Sequence, residues 1–292
     1  MRLSIAAKFN IVFLAVFALG FGAASLVTNY LLQRNAREET LQHARVLMQS
    51  AMAARGYTAA QIVPLLETRL KYEFLPQSIP SYAATEQLGQ LLKQYPDFSY
   101  KEATLNPTNL RDRASDWEAD LVHILRAKPA LKELVGERQT ATGPALYMAR
   151  PMQITDAACL RCHSVPDAAP KTMLDIYGRN NGFGWKHMEI IGAQVVSVPM
   201  EVPLARANTI LRTYMASMLG IFAFLFVALN IMVHFFVTRR ITRMSLLADQ
   251  VSLGQFSAGE FDVKGSDELS TLATSFARMR TSLASAMKML EE

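Results

Sequence analysis

Two stretches of this chain run without a charge for longer than a bilayer is thick: Phe9 to Leu32, 24 residues, and Thr213 to Val237, 25 residues. A helix needs about 20 apolar residues to cross the hydrocarbon core, so both are expected to span a membrane. The first is too long for the apolar segment of a cleaved signal peptide, and Ser25-Leu-Val-Thr-Asn-Tyr30 continues it beyond Ala24; a retained anchor is expected. Arg2 and Lys8 precede the first span, and Arg239, Arg240 and Arg243 follow the second. Cations mark the cytoplasmic side, which puts both ends of the chain in the cytoplasm, although Arg34, Arg37 and Arg212 soften the bias. The 180 residues from Gln33 to Arg212 then lie outside.

Between the spans the pattern is mixed. From Asn35 to about Thr58 good helix formers dominate, and Leu41, Met48 and Met52 share one stripe at i, i+7 and i+11, so the first membrane helix is expected to continue outward. Prolines 64, 76, 80, 96 and 107 then cut the chain into short pieces. Phe74 to Tyr82 reads as an ordered loop, Ala83 to Gln94 as a helix and Phe98 to Thr104 as a strand. Asp112 to Ala127 has helical spacing through Trp117, Leu121 and Leu125, with Ser115 and Glu118 as a capping-box pair. Ala145 to Ile154 reads as a second strand, where Pro151 favours an edge or a bulge. A glycine-rich turn, Tyr177 to Gly184, precedes a third strand, Gly192 to Val198. A few strands beside helices predict a small α+β domain.

Beyond the second span, Ile241, Met244, Ala248 and Val251 keep a three-four spacing up to Gly254, and a polar linker, Gln255 to Ser266, follows. Leu269, Leu272, Phe276, Met279, Leu283, Ala286 and Leu290 then alternate steps of three and four, a heptad seam that predicts a partner helix and a parallel homodimer.

Charge adds an exclusion. The formal net charge is only +5, and from Thr238 to Glu292 seven Lys/Arg balance seven Asp/Glu, with no long basic run. Nucleic acid is not an expected partner.

The chemistry concentrates in Cys159-Leu160-Arg161-Cys162-His163, which holds both cysteines of the chain and one of its five histidines. Two thiols one helical turn apart can each add to a haem vinyl group, with the adjacent imidazole beneath the iron as axial ligand; the spacing predicts one covalently attached haem c. A thioredoxin-like pair leaves His163 unexplained and usually opens the helix of a βαβ unit, which the pattern lacks. A structural zinc site wants four ligands, and no second cysteine pair exists. A disulfide across so short a loop stabilises little.

Taken together, the outer segment resembles the periplasmic PAS-like c-type-haem sensor domains that are joined to HAMP modules. Besides Cys159, Cys162 and His163, the likeness rests on Met52-Ala-Ala-Arg-Gly-Tyr-Thr58, Tyr72-Glu-Phe-Leu-Pro76, Asn181-Gly-Phe-Gly-Trp-Lys186 and Gly192-Ala193. Gly265-Ser-Asp-Glu-Leu-Ser-Thr-Leu-Ala-Thr-Ser-Phe-Ala-Arg-Met279 matches the second HAMP helix, although Arg243-Met244 stands where a proline is usual in the first. The resemblance covers about residues 40–202, with HAMP at about 238–290; joined to the two spans and their flanking cations it gives the expected layout: residues 1–8 cytoplasmic, 9–32 membrane, 33–212 periplasmic PAS-like haem c domain, 213–237 membrane and 238–292 HAMP. It implies a second axial ligand on the helix leaving the first span, where this sequence offers Met52 first and Met48 or His43 as alternatives. Either methionine alone is as well read as a core residue filling irregular space. His123 and His187 are weaker choices. Arg55, Arg150 and Lys186 are each able to pair with a haem propionate, though for each a solvated surface charge is the stronger expectation. Asn230 and His234, four apart in the second span, are expected to face a neighbouring helix rather than lipid.

The expected function is a haem-based sensor in the bacterial inner membrane, responding to redox poise or a diatomic gas through the iron. The signal would pass through HAMP to a separate cytoplasmic protein of kinase, cyclase or chemotaxis type, because no output domain follows Glu292. The alternative is a membrane-anchored monohaem cytochrome that carries electrons; a cytoplasmic seam serves no purpose there. Catalysis is not expected, since nothing beyond the haem marks a substrate site.

Overall fold

The computed structural model describes residues 4–256, 259 and 265–291, without the side chains of 290 and 291. Arg2, most of the linker after Phe256 and the Leu290 end of the heptad seam therefore lie outside the described residues. Two compact units are built, one from residues 29–210 and one from residues 1–28 with 211–292.

The first apolar span and the helix-forming stretch after it make one helix, α1 (Ile5–Tyr57). A π-turn, Thr58–Ile62, leads into α2 (Val63–Leu70), which Pro64 opens and which buries no residue. Pro80 opens α3 (Pro80–Leu92), three residues earlier than the sequence pattern suggests, after a 3-10 turn at Pro76–Ser78. Four antiparallel strands follow in the sheet order β1-β4-β3-β2: β1 (Ser99–Thr104), β2 (Leu134–Thr140), β3 (Gly143–Gln153) and β4 (Ile190–Pro199). Helix α4 (Asp116–Ala127) starts where the capping pair stands: the Glu118 carboxylate accepts both the backbone N–H and the hydroxyl of Ser115 at 2.8 Å. Short helices α5 (Leu160–His163) and α6 (Lys171–Tyr177) lie between β3 and β4.

Side chains alternate across each strand, so the sheet has two apolar faces. On one, Tyr100, Leu146, Met148, Val196 and Val198 meet Leu41, Ala44, Met48, Ala51 and Ala54 of α1 and Ala84 and Leu88 of α3. On the other, Ala103, Ala149, Ala193 and Val195 receive Leu121, Val122 and Leu125 of α4.

Two strands differ from the sequence expectation: β2 was not expected, and β3 is not at an edge. β2 carries only Leu134 and Val135 as apolar residues before Gly136-Glu-Arg-Gln-Thr140; an edge strand with one partner has no need of a fuller pattern, and it left no alternation to read. β3 is a central strand rather than an edge, and of the two places expected for Pro151 the bulge is the one it occupies. The proline is tolerated because pairing with β2 ends at Ala149, so Pro151 is paired with β4 alone and sits just before a bulge at Met152/Gln153.

In the second unit, α1 up to Thr28 and α7 (Glu201–Val233) from Leu211 onward carry the apolar spans, with Phe13 stacked on Phe222 and Phe226 at 5.2 and 5.8 Å between ring centroids. Both helices are long and apolar enough to cross a membrane. A π-turn at His234–Thr238 separates α7 from α8 (Arg239–Ser252); Asn230 in the span donates to the Phe226 carbonyl at 2.9 Å. Helix α9 (Glu268–Glu291) packs on α8 through Met244, Val251 and Ala273, with Phe276 and Ala277 beside them. The heptad seam is thus divided. Phe276 is used inside the chain, whereas Leu272, Met279 and Leu283 stay 46, 45 and 43% exposed.

Candidate functional site

The Cys159–His163 segment follows β3 after a short link in which Asp156 accepts the Ala158 N–H at 2.7 Å and nucleates a 3-10 turn, Ala157–Cys159. That turn runs into α5, so the two cysteines lie three residues apart on one helical turn. Both thiols are free and half-buried. Burial pushes both upward from the ordinary thiol value, and the charge of Asp156 adds to the effect at Cys159. A redox-active cysteine pair shows the opposite, a thiol lowered toward thiolate, so the surroundings disfavour the thioredoxin-like reading.

His163 is held on three sides. Its Nδ1 donates to the Gly182 carbonyl at 2.8 Å, and its ring stacks on Trp185 with centroids 4.0 Å apart. Behind it, Gly184 N–H donates to the Ser164 carbonyl at 2.8 Å and Trp185 N–H to the His163 carbonyl at 3.2 Å, clasping the glycine-rich turn onto α5. Burial lowers the imidazole's pKa, so it stays neutral near pH 7. With Nδ1 used by a carbonyl, Nε2 is the atom left to coordinate a metal, the arrangement that fixes tautomer and orientation in metal-bound histidines. The donor set therefore fits a covalently held haem: two thiols on one turn and an imidazole presenting Nε2.

Gly182 has no alternative. Its φ is +81°, and a Cβ there would come within 2.0 Å of Thr108 Oγ1. Thr108 and Asn106 belong to Asn106-Pro-Thr-Asn109 after β1, and Asn106 binds both sides of the same turn. Sequence reading used only Pro107 here, as a breaker. An Asn-Pro-Thr-Asn run is a turn signal, but nothing in it announces a partner some 76 residues away in the chain.

The remaining candidates separate. Register places Glu102, Gln194 and Arg150 in one cross-strand row, on the sheet face that α1 covers and one step beyond Tyr100, Val196 and Met148. Glu102 is 1% exposed, pairs with Arg55 of α1 and accepts from the Tyr100 hydroxyl at 2.7 Å. Arg150 pairs with Glu133 at 2.9 Å, and Arg45 of α1 reaches the same carboxylate at 3.9 Å. Arg55 and Arg150 already have carboxylate partners, whereas Lys186 is exposed, its backbone N–H donating to Glu189. Arg55 also stands close enough to Cys159 for its charge to oppose the rise in that thiol's pKa.

Along α1, Met48 is fully buried in the core and Met52 is 41% exposed on the flank it shares with Arg45 and Arg55. His43 is nine residues from Met52, two and a half helical turns, and so lies on the opposite flank. His123 and His187 are exposed on α4 and in the loop before β4.

Fold and site together define a small α+β domain with a Cys-x-x-Cys-His site, carried between two apolar helices and followed by a helical pair. The family model described as Tll0287-like (Tll0287) matches residues 33–199, more than half of the chain, and the HAMP domain model matches residues 232–285. The chain belongs to the Tll0287-like family and carries a HAMP domain, as the resemblance implied. A solved structure described as that of the cyanobacterial haem-protein Tll0287 aligns with 55% of this chain and 95% of its own, at 14% identity and a TM-score of 0.43. None of the curated proteins compared with the chain is similar to it.

Proposed function

We propose that the protein is a haem-based transmembrane signal transducer, in which Cys159 and Cys162 bind one haem c covalently and His163 Nε2 ligates its iron. The observation that carries the reading is the Nδ1–Gly182 hydrogen bond, which leaves the imidazole one coordinating atom on the helical turn that bears both thiols. Bound there, haem would supply an iron whose oxidation state responds to redox poise, or which takes oxygen, nitric oxide or carbon monoxide where its second ligand gives way. Met52, exposed on α1 beside Arg55, is the proposed second ligand, and Arg55 the proposed propionate partner, with Arg150 a second cation in the same polar row. Residues 33–212 form the periplasmic domain, 9–32 and 213–237 the spans, and 1–8 with 238–292 the cytoplasmic parts. A response needs differential affinity of the two iron states for two conformations. Met52 and the first span lie on one helix, which gives a covalent route from the site into the first span, while the chain reaches the HAMP helices from β4 through α7.

A purely electron-carrying cytochrome makes no use of the HAMP domain, so the transducer is favoured. The test is covalent haem: wild-type protein, denatured and stripped of free haem, should retain the absorption of a thioether-linked haem, and Cys159→Ser with Cys162→Ser should retain none. Wild-type protein without covalent haem, or haem that stays on the double variant, ends the proposal.

A further inference from the structure

The site holds one polar side chain that serves neither iron nor thiols but the peptide groups behind His163. Asn106 lies two residues past the end of β1 and is half-buried. Its Oδ1 accepts the Gly182 N–H at 3.1 Å, and its Nδ2 donates to the Phe183 carbonyl at 3.1 Å. A backbone N–H is only a donor and a carbonyl only an acceptor, so the two partners fix the amide's orientation. Between them sits the Gly182 carbonyl, the group that accepts from His163 Nδ1 at 2.8 Å. Thr108 Oγ1, 3.4 Å from the same nitrogen, fills the space above Gly182 and prevents the turn from shifting that way.

We propose that Asn106 is the positioning residue of the proximal imidazole: by holding the Gly182 carbonyl against Nδ1 it sets how strongly His163 donates to iron, and thereby the reduction potential. The inference rests on His163 being an iron ligand. A firm Nδ1–H···O bond makes the imidazole a better donor, which favours the more highly charged ferric ion and lowers the potential. Releasing the carbonyl acts the other way.

The experiment uses full-length protein in detergent with Asn106→Ala and Asn106→Ser. The serine variant is neutral, still polar and too short to reach both peptide groups, so it answers if the alanine variant does not fold. Asn109→Ala is the control, since that side chain accepts from Arg111 N–H at 3.2 Å in the same loop and makes no hydrogen bond to the turn among the described residues. Covalent haem should be unchanged in all three. At fixed applied potential the Asn106 variants should shift the ferrous-to-ferric ratio upward by on the order of tenfold, about 59 mV for a one-electron couple. The iron–imidazole stretching frequency of the ferrous protein, read by resonance Raman after photolysis of carbon monoxide, should fall. Unchanged potential and frequency in the Asn106 variants overturn the proposal, as does an equal shift in Asn109→Ala. Wild-type protein without haem, or a spectrum indifferent to His163→Ala, overturns the reading beneath it and this proposal with it.

Discussion

Asp112 shows how much one carboxylate's surroundings decide. It ends a 3-10 turn, Leu110–Asp112, with its side chain 15% exposed and Arg111 Nε 3.8 Å away. Burial pushes its pKa up to about 6 from 3.8, and the charge of Glu102 adds to that, while Arg111 and Lys101 pull it back. A carboxyl whose folded pKa lies above its unfolded value favours folding when protonated, so this group's contribution falls as pH rises from about 4 to about 6. Asp112→Asn imitates the protonated form. Above pH 6 the variant should be more stable than wild type, by on the order of 1 kcal/mol once solvent screening is allowed for. Below about pH 4 the two should melt together. Thermal unfolding followed across that range checks it, and a variant less stable than wild type at pH 7 would show that the pairing with Arg111 outweighs burial. His163 differs in kind: burial keeps it neutral, the form that ligates.

At the scale of elements the open choice is which flank of α1 meets the haem. Met48 packs among Leu146, Met148 and Val196, whereas Met52 stands beside Arg55 and opposite His43. The two methionines should therefore separate cleanly. Met48→Ala leaves a cavity and should cost the domain about 2–5 kcal/mol while keeping the haem spectrum. Met52→Ala should barely change stability but lower the reduction potential, because a thioether ligand favours ferrous iron. If the spectral change follows Met48 instead, the proposed flank is wrong; if it follows only His43, the ligand comes from the far side of α1. This also shows what the sequence carried. Leu41, Met48 and Met52 share a stripe by periodicity, but Met48 is in the core and Met52 at its edge, because only the packed sheet defines where the core ends. Helix α4 and its cap were readable because Ser115 and Glu118 act within one turn. β2 was not, since an edge strand is held by its neighbour's backbone rather than by its own alternation. That Cys159, Cys162 and His163 share one turn was readable because their spacing is local. Asn106 was not, because its partners arrive from the turn before β4.

At the scale of the whole molecule, the two spans around a domain were written in long-range hydropathy and the HAMP module in the resemblance of residues 265–279, while the division of labour along α9 was in neither. One strip of that helix, through Ala273, Phe276 and Ala277, is used against α8. Another, Leu272, Met279 and Leu283, recurs at i, i+7 and i+11 and remains exposed in the single chain. That spacing is a coiled-coil seam, and in the parallel homodimer that the heptad pattern predicts it would close against its own copy. Phe276→Glu is a poor test, since it would break α8 from α9 as well. Met279→Glu leaves the intrachain packing alone and buries an unpaired charge only in the dimer, at a cost of several kcal/mol. Cross-linking of the detergent-extracted protein through α9 should fall sharply in Met279→Glu, with haem content and reduction potential unchanged. Signalling should be lost with it. A variant that stays cross-linked removes the seam as the dimer contact. If cells carrying it keep every wild-type phenotype while cells with Cys159→Ser and Cys162→Ser lose them, the haem acts without the cytoplasmic helices, and the electron carrier becomes the better reading.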